Sequence, residues 1–199
     1  MHFEGLTQSA ALEGAPLESA SIQSPRATMA ENSPADGQAL KSKLNNKMKT
    51  QAFFIDLTER PPRSFRVRLG GFVILARMID KGRATLSKKN GEYNYNSPTD
   101  QHLVRFLGFD ADALLKELAA DKGDGEILQW VLANAKTPRT PWEIETWSAF
   151  MEKRGPDSDA ETLALFAEYV GQHSKTREDI KTWFEAIELD DYASFAGKP

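Results

Sequence analysis

The chain has 199 residues, a formal net charge of −4 at pH 7 and 40% hydrophobic residues, a composition typical of one globular domain, with or without a tail. It contains no cysteine, which excludes disulfides, thiolate metal sites and cysteine nucleophiles. No apolar run approaches the roughly 20 residues that span a bilayer. The first 20 residues lack the charged segment followed by an apolar segment that is typical of a secretory signal. We therefore expect a soluble, cytoplasmic protein that does not associate with membranes.

The charges are distributed unevenly along the chain. Residues 60–89 carry 9 Lys/Arg against 1 Asp/Glu, whereas residues 110–199 carry 10 against 19. A basic segment in an acidic chain is typical of a site for an anionic partner, but the fold can also bring the two segments together and neutralise both. The sequence leaves both interpretations open.

The first 50 residues are predicted to be a disordered, low-complexity tail. Their only aromatic residue is Phe3, and Ala, Ser, Gln, Gly and Pro recur without a helical or strand period. Apolar density rises at Gln51, so residues 51–199 are predicted to form a single domain.

The domain is predicted to begin with an extended arm and a helix. Pro61 and Pro62 favour an extended, surface-laid segment over residues 56–63. Apolar residues then follow with helical spacing from Leu69 to Ile79, which predicts a helix of about 14 residues with one buried face. Gly70 and Gly71 would weaken its first turns unless another element or a ligand approaches the backbone there.

A hairpin and six more helices are predicted after this helix. Asn90-Gly91 favours a type I′ turn and is the one credible hairpin. Caps and stop signals then predict helices over about 98–106, 110–120, 124–132, 142–154, 157–170 and 176–189. The fold class is therefore mainly α, a compact multi-helix domain with at most one short β-hairpin.

The candidate ligand-binding residues lie around the start of the Leu69 helix. Arginines added to a helix N-terminus are unfavourable unless negative charge sits among them, because that end already carries partial positive charge. Accessible backbone N–H groups and guanidinium forks would cradle phosphate or carboxylate. The predicted site comprises Arg60, Arg63, Arg66, Arg68, Gly70 and Gly71. Alternatively, carboxylates of the acidic C-terminal half, for instance Asp190 and Asp191, fill this position from within.

Other groups that could carry chemistry have ordinary explanations. Arg77, Asp80, Lys81 and Arg83 have the spacing of intrahelical ion pairs. His102 could serve as a general base, but the three histidines lack the spacing of a metal site, and no metal ion or cofactor is expected. A sequence pI of 5.5 and the lack of a recognised binding motif argue against nucleic acid as a partner.

Three segments resemble a known family: DLTERPPRSFRVRLGG at 56–71, IDKGRA at 79–84 and NGEY at 90–93. The later segments PWEI at 141–144, RGPDSD at 154–159 and LDDYASF at 189–195 are similar to the same family. It is the uncharacterised bacterial domain-of-unknown-function family numbered 5069. The resemblance implies that the region from Asp56 onward is one domain. It implies no activity and no catalytic residue.

The function predicted from the sequence is binding of an anionic small molecule, or of an acidic protein surface, at the arginine-rich helix start. One alternative is an enzyme in which the same arginines hold a phosphate- or carboxylate-bearing substrate while Asp80, Lys81 or His102 transfers a proton. A second alternative is a structural interaction protein whose charges are neutralised internally. The sequence does not decide whether the protein is an enzyme.

Overall fold

The structure is a computed structural model that describes residues 55–197. Within that range it contains seven α-helices and one isolated β-bridge. The helices are α1 (Leu75–Leu86), α2 (Asp100–Leu107), α3 (Ala111–Ala119), α4 (Asp124–Asn134), α5 (Pro141–Lys153), α6 (Ala160–His173) and α7 (Trp183–Ser194). The prediction of a mainly α domain is confirmed, and the predicted tail lies outside the described residues.

Two helices begin at the caps that the sequence signals predict. The Asp110 carboxylate accepts hydrogen bonds from the backbone N–H groups at the start of α3. Thr140 caps α5 and exchanges hydrogen bonds with Glu143, so two backbone N–H groups that lack a helical partner are satisfied together.

The predicted start of the last helix was wrong by several residues. The sequence placed it at Thr176, but α7 begins after Thr182, whose side chain accepts from the Glu185 N–H while Glu185 accepts from the Thr182 N–H. Thr176 has an acid at the same spacing, Asp179, but that carboxylate pairs with Arg177 instead. A reciprocal capping box therefore fixes the start of α7.

The predicted helix starting at Leu69 was also wrong. Leu69 and Phe72 exchange two backbone hydrogen bonds of 3.1 Å each, and the two glycines between them form a tight turn with φ of 61° and 85°. Positive φ at both central residues is what a type I′ turn requires, and glycine reaches it without strain. The helix begins six residues later, at Leu75.

The predicted hairpin at Asn90-Gly91 is a turn without strands. The Tyr93 N–H donates to the Asn90 carbonyl at 2.9 Å, and Gly91 has φ of 54°. The flanking residues 85–95 form no strand in the structure. Leu57 instead donates its backbone N–H to the Lys89 carbonyl and is 1% exposed, so the arm before α1 is partly buried rather than laid on the surface.

Helix α1 lies at the centre of the domain. Every residue from Leu75 to Ala84 is buried, so the helix is enclosed on all sides rather than on one face. It packs against α2 and α3, and α3 packs against α4. The Phe184 ring of α7 reaches the same core and stacks on Phe65 at a centroid distance of 4.8 Å.

Helix α6 stands apart from this core. Its main packing partner is α7, and together with residues between them they form a second, smaller hydrophobic cluster. The buried members of that cluster are Phe166, Val170, Ile180, Ala186 and Leu189. Leu163 and Leu165 of α6 remain largely exposed. Leu165 borders open space between α6 and the helices α2 and α5.

Candidate functional site

Three of the four predicted arginines are engaged by carboxylates of the domain itself. Arg63 bonds to Asp80 at 2.7 Å and to Asp124 at 2.6 Å, and it also donates to the Ala76 carbonyl. Burial lowers the pKa of Arg63, but Asp80 and Asp124 raise it more, so the net shift is upward and the group stays charged. An external anion would have to displace these partners.

Arg66 and Arg68 pair with more distant helices. Arg66 lies 3.1 Å from Glu188 of α7, and Arg68 lies 3.0 Å from Glu152 of α5. Arg60 is exposed and forms no ion pair with any residue in the range 55–197. The four arginines therefore do not converge on one site.

The two glycines of the predicted site face other helices. A Cβ on Gly70 would lie 2.4 Å from the Leu128 side chain of α4, and one on Gly71 would lie 3.1 Å from Ile144 of α5. The close backbone approach expected from the sequence is thus made by two protein elements.

The charged residues of α1 pair with other elements and not with one another, so the predicted intrahelical pairing was wrong. Arg77 forms a two-pronged pair with Asp191 at 2.6 and 2.9 Å. Lys81 lies 2.6 Å from Asp100 and donates to the Ser97 hydroxyl at 2.9 Å. Because α1 is enclosed on all sides, its charges meet side chains from neighbouring helices before they reach one another.

Lys81 of α1 and Asp124, the partly buried carboxylate that pairs with Arg63 and Arg83, have shifted pKa values. Burial lowers the pKa of Lys81, and Asp100 offsets that effect only in part. Burial raises the pKa of Asp124, but Arg63 and Arg83 lower it more, so the net shift is downward. Each charge has a partner of opposite sign, as buried charges require. We assign these groups to the stability of the fold.

A separate cleft, to which the arginine-rich segment contributes no residue, lies between α2, α5, α6 and α7. Several of its polar groups have no close hydrogen-bond partner among the described residues. It has a volume of about 430 Å³. Its apolar lining comprises Pro98, Met151, Leu165, Trp183, Phe184 and Ile187. Its polar lining comprises Thr99, His102, Arg154, Thr162 and Tyr169. A mainly apolar cleft with a few convergent polar groups is typical of a small-molecule site.

His102 is the one proposed proton-transfer residue that lines this cleft. The imidazole is half-buried and has no hydrogen-bond partner among the described side chains. Burial lowers its pKa from the ordinary 6.5, and the positive charges of Arg154 and Arg105 lower it further. The neutral form of the ring therefore predominates at pH 7, and in that form one nitrogen can accept a hydrogen bond.

Arg154 supplies the positive charge of the cleft. It follows the last residue of α5, and its guanidinium lies 3.7 Å from Asp157, beyond hydrogen-bond distance. The Asp157 side chain is 68% exposed, so water screens this pair. Arg154 thus differs from Arg63, Arg66 and Arg68, each of which has a close carboxylate.

Trp183, which also lines the cleft, adds a third polar group without a close partner in the described part of the chain. Its indole Nε1 is buried and has no hydrogen-bond acceptor among residues 55–197. The ring meets Phe166 edge to face at 5.0 Å. A buried hydrogen-bond donor without an acceptor is unusual in folded proteins.

Sequence reasoning identified His102 but missed Arg154. The available signal was the segment RGPDSD at 154–159, which closes α5 with Gly155-Pro156. A cap signal shows where a helix ends and does not show that the preceding side chain faces a cleft. That information depends on how α6 and α7 pack against the end of α5, where the backbone N–H of Trp183 donates to the Arg154 carbonyl at 3.0 Å.

A comparison with known families finds the domain of unknown function DUF5069 at residues 59–193. The chain belongs to this family. The match covers all seven helices but for the last residue of α7, so the resemblance seen in the sequence is confirmed. No curated protein matches the chain.

Two further features of the described residues bear on function. No three His, Asp or Glu side chains in residues 55–197 are grouped so that they could hold a metal ion. No helix in the same range is both long and apolar enough to cross a membrane.

Proposed function

We propose that this domain binds a small organic anion with an apolar body in the cleft between α2, α5, α6 and α7. Arg154 is the counterion for the anionic group. One observation carries the proposal: Arg154 lines an apolar cleft without a carboxylate at hydrogen-bond distance, whereas Arg63, Arg66 and Arg68 have one.

The lining of the cleft suits such a ligand. Its volume of about 430 Å³ falls within the usual range for small-molecule sites, about 300–1,000 Å³. The rings of Trp183 and Phe184 and the side chain of Ile187 offer apolar surface that stabilises a ligand by excluding water. In such surroundings a charge-assisted hydrogen bond from Arg154 is stronger than it would be in water.

The sequence-based site at Arg60, Arg63, Arg66, Arg68, Gly70 and Gly71 stays a prediction. The ion pairs described above favour the alternative in which the domain neutralises most of its basic segment internally. An acidic protein surface could reach Arg60, which is exposed, without displacing an internal partner.

The enzyme alternative relied on Asp80, Lys81 or His102. Asp80 and Lys81 are each 3% exposed and have internal partners, and neither lines the cleft. An enzyme acting in this cleft would therefore use His102, the only one of the three that can contact a ligand there.

Isothermal titration calorimetry with four simple anions tests the proposed function. The probes are octanoate, octyl phosphate, phenylacetate and benzyl phosphate, which combine two apolar bodies with two anionic groups. We expect at least one to bind, and Arg154→Gln to weaken its binding about 10- to 100-fold because charge-assisted hydrogen bonds are lost.

The matched controls are Arg60→Gln and Arg66→Gln, which remove the same charge within the sequence-predicted site. Both should bind the probes as the wild type does. Binding that survives Arg154→Gln but is lost in Arg66→Gln would move the site to the arginine-rich segment. Failure of all four probes to bind at millimolar concentration would contradict the proposal.

A further inference from the structure

We infer that the cleft selects a monocarboxylate over a phosphate ester. This inference rests on the proposed function and concerns the charge of the ligand. The cleft offers one permanent positive charge, that of Arg154, and a carboxylate matches it. A phosphate monoester carries about −1.5 to −2 at pH 7, so it would bring additional negative charge into an apolar space.

The charged and titratable groups around the cleft support the assignment of one permanent positive charge to it. Helix α2 contributes His102 and the exposed Arg105, and the segment after α5 contributes Arg154 and Asp157. Helix α6 contributes Tyr169, whose hydroxyl donates to Asp190 of α7 at 2.8 Å and is therefore occupied. Among the residues that line the cleft, Arg154 alone is a permanent cation.

His102 is the only lining group that could supply a second positive charge. It does so only by binding a proton, and the surroundings described above oppose protonation at neutral pH. A bound dianion would favour the protonated ring, so a phosphate ester should bind with uptake of a proton and more tightly as the pH falls. A monocarboxylate needs no proton and should bind without uptake between about pH 7 and 8.

Paired calorimetric titrations of the full chain test this selectivity. Octanoate is compared with octyl phosphate, and phenylacetate with benzyl phosphate, in two buffers of different ionisation enthalpy at about pH 7.5. We expect each carboxylate to bind about tenfold or more tightly than its phosphate partner. The observed enthalpy should depend on the buffer for the phosphates alone.

A charge-adding variant provides the complementary test. His102→Lys places a second permanent cation at the same position, so the preference should shift at least about tenfold towards the phosphate of each pair. His102→Gln is the matched neutral variant and should retain the preference for carboxylate. Folding of each variant is verified from its thermal unfolding before titration.

The outcomes separate the two proposals. Equal or tighter binding of the phosphates by the wild type, without proton uptake, would overturn the selectivity and leave the proposed function standing. If no probe binds in an Arg154-dependent manner, the proposed function fails and the selectivity fails with it. If His102→Lys folds but its preference does not change, His102 does not face the bound anion and the inference is overturned.

Discussion

Arg77 shows how a single buried charge is accommodated in this domain. Its side chain is 2% exposed and lies over the Phe65 ring at 4.5 Å, and its guanidinium forms the two-pronged pair with Asp191. The Tyr93 hydroxyl donates to the same carboxylate at 2.8 Å. Burial raises the pKa of Tyr93, with Asp191 adding to the shift, so the hydroxyl remains a donor at neutral pH. The pair joins α1 to α7 through the interior.

Breaking the Arg77–Asp191 pair should destabilise the fold strongly. Arg77→Met leaves Asp191 buried without its counterion, and we expect it to lower the free energy of unfolding by about 3–5 kcal/mol. Urea denaturation measures the change. In the double variant Arg77→Met/Asp191→Leu no charge is left unpaired, so its loss should be smaller than the sum of the two single losses.

Arg105→Met is the control for this prediction. Arg105 is exposed on α2 and forms no ion pair with a described residue, so its replacement should change the stability by less than about 0.5 kcal/mol. Equal losses for Arg77→Met and Arg105→Met would show that the buried pair contributes nothing to stability.

Among the elements of the fold, the turn at Gly70-Gly71 decides where α1 begins. Apolar spacing from Leu69 to Ile79 fits a helix, but two successive glycines can adopt positive φ cheaply, and the turn also lets the backbone approach Leu128. The local preference for a turn therefore prevails over the helical period. The chain reverses direction before the helix starts, and Arg63, Arg66 and Arg68, which precede the turn, pair with carboxylates of four different helices.

Gly70→Ala should destabilise the domain by about 1–3 kcal/mol, because alanine is strained at positive φ and its Cβ would overlap Leu128. Gly125→Ala is the matched control, since Gly125 lies within α4 and a Cβ there meets no atom within 4 Å. That variant should leave stability unchanged or raise it by up to about 1 kcal/mol. Thermal unfolding measures both, and a tolerated Gly70→Ala would contradict the role assigned to the turn.

Across residues 55–197, several members of the basic segment 60–89 pair with acidic residues that come later in the chain. Arg66 reaches Glu188, Arg77 reaches Asp191 and Lys81 reaches Asp100. These long-range pairs connect the segment to α2 and α7, so the two ends of the described region are joined through charges as well as through the apolar core. Internal neutralisation thus accounts for much of the asymmetry seen in the sequence.

The division between residues 1–50 and 51–199 stays a prediction, and a fragment tests it. Residues 51–199 contain both hydrophobic clusters described above and the whole family match. We expect this fragment to unfold cooperatively, with a melting temperature within a few degrees of that of the full chain. A fragment that unfolds without cooperativity, or is insoluble, would show that the first 50 residues belong to the domain.

For residues 55–197, the sequence by itself determined the helical class, the number of helices and several of their ends. Asp110 and Thr140 act within one turn of their own position, so local hydrogen bonds fix those helix starts whatever surrounds them. The family also followed from the sequence, because its motifs are contiguous. Cytoplasmic location and bacterial origin stay predictions.

Only the tertiary structure decided which charges are free. Helical spacing placed Asp80 beside Arg77 and Arg83, yet the fold gives each of them a partner from elsewhere in the chain, because α1 is enclosed by other elements. The sequence could not distinguish Arg63, which has two carboxylates, from Arg154, which has none at hydrogen-bond distance. Side chains far apart in the chain compete for the same partners, and their positions depend on how the helices pack.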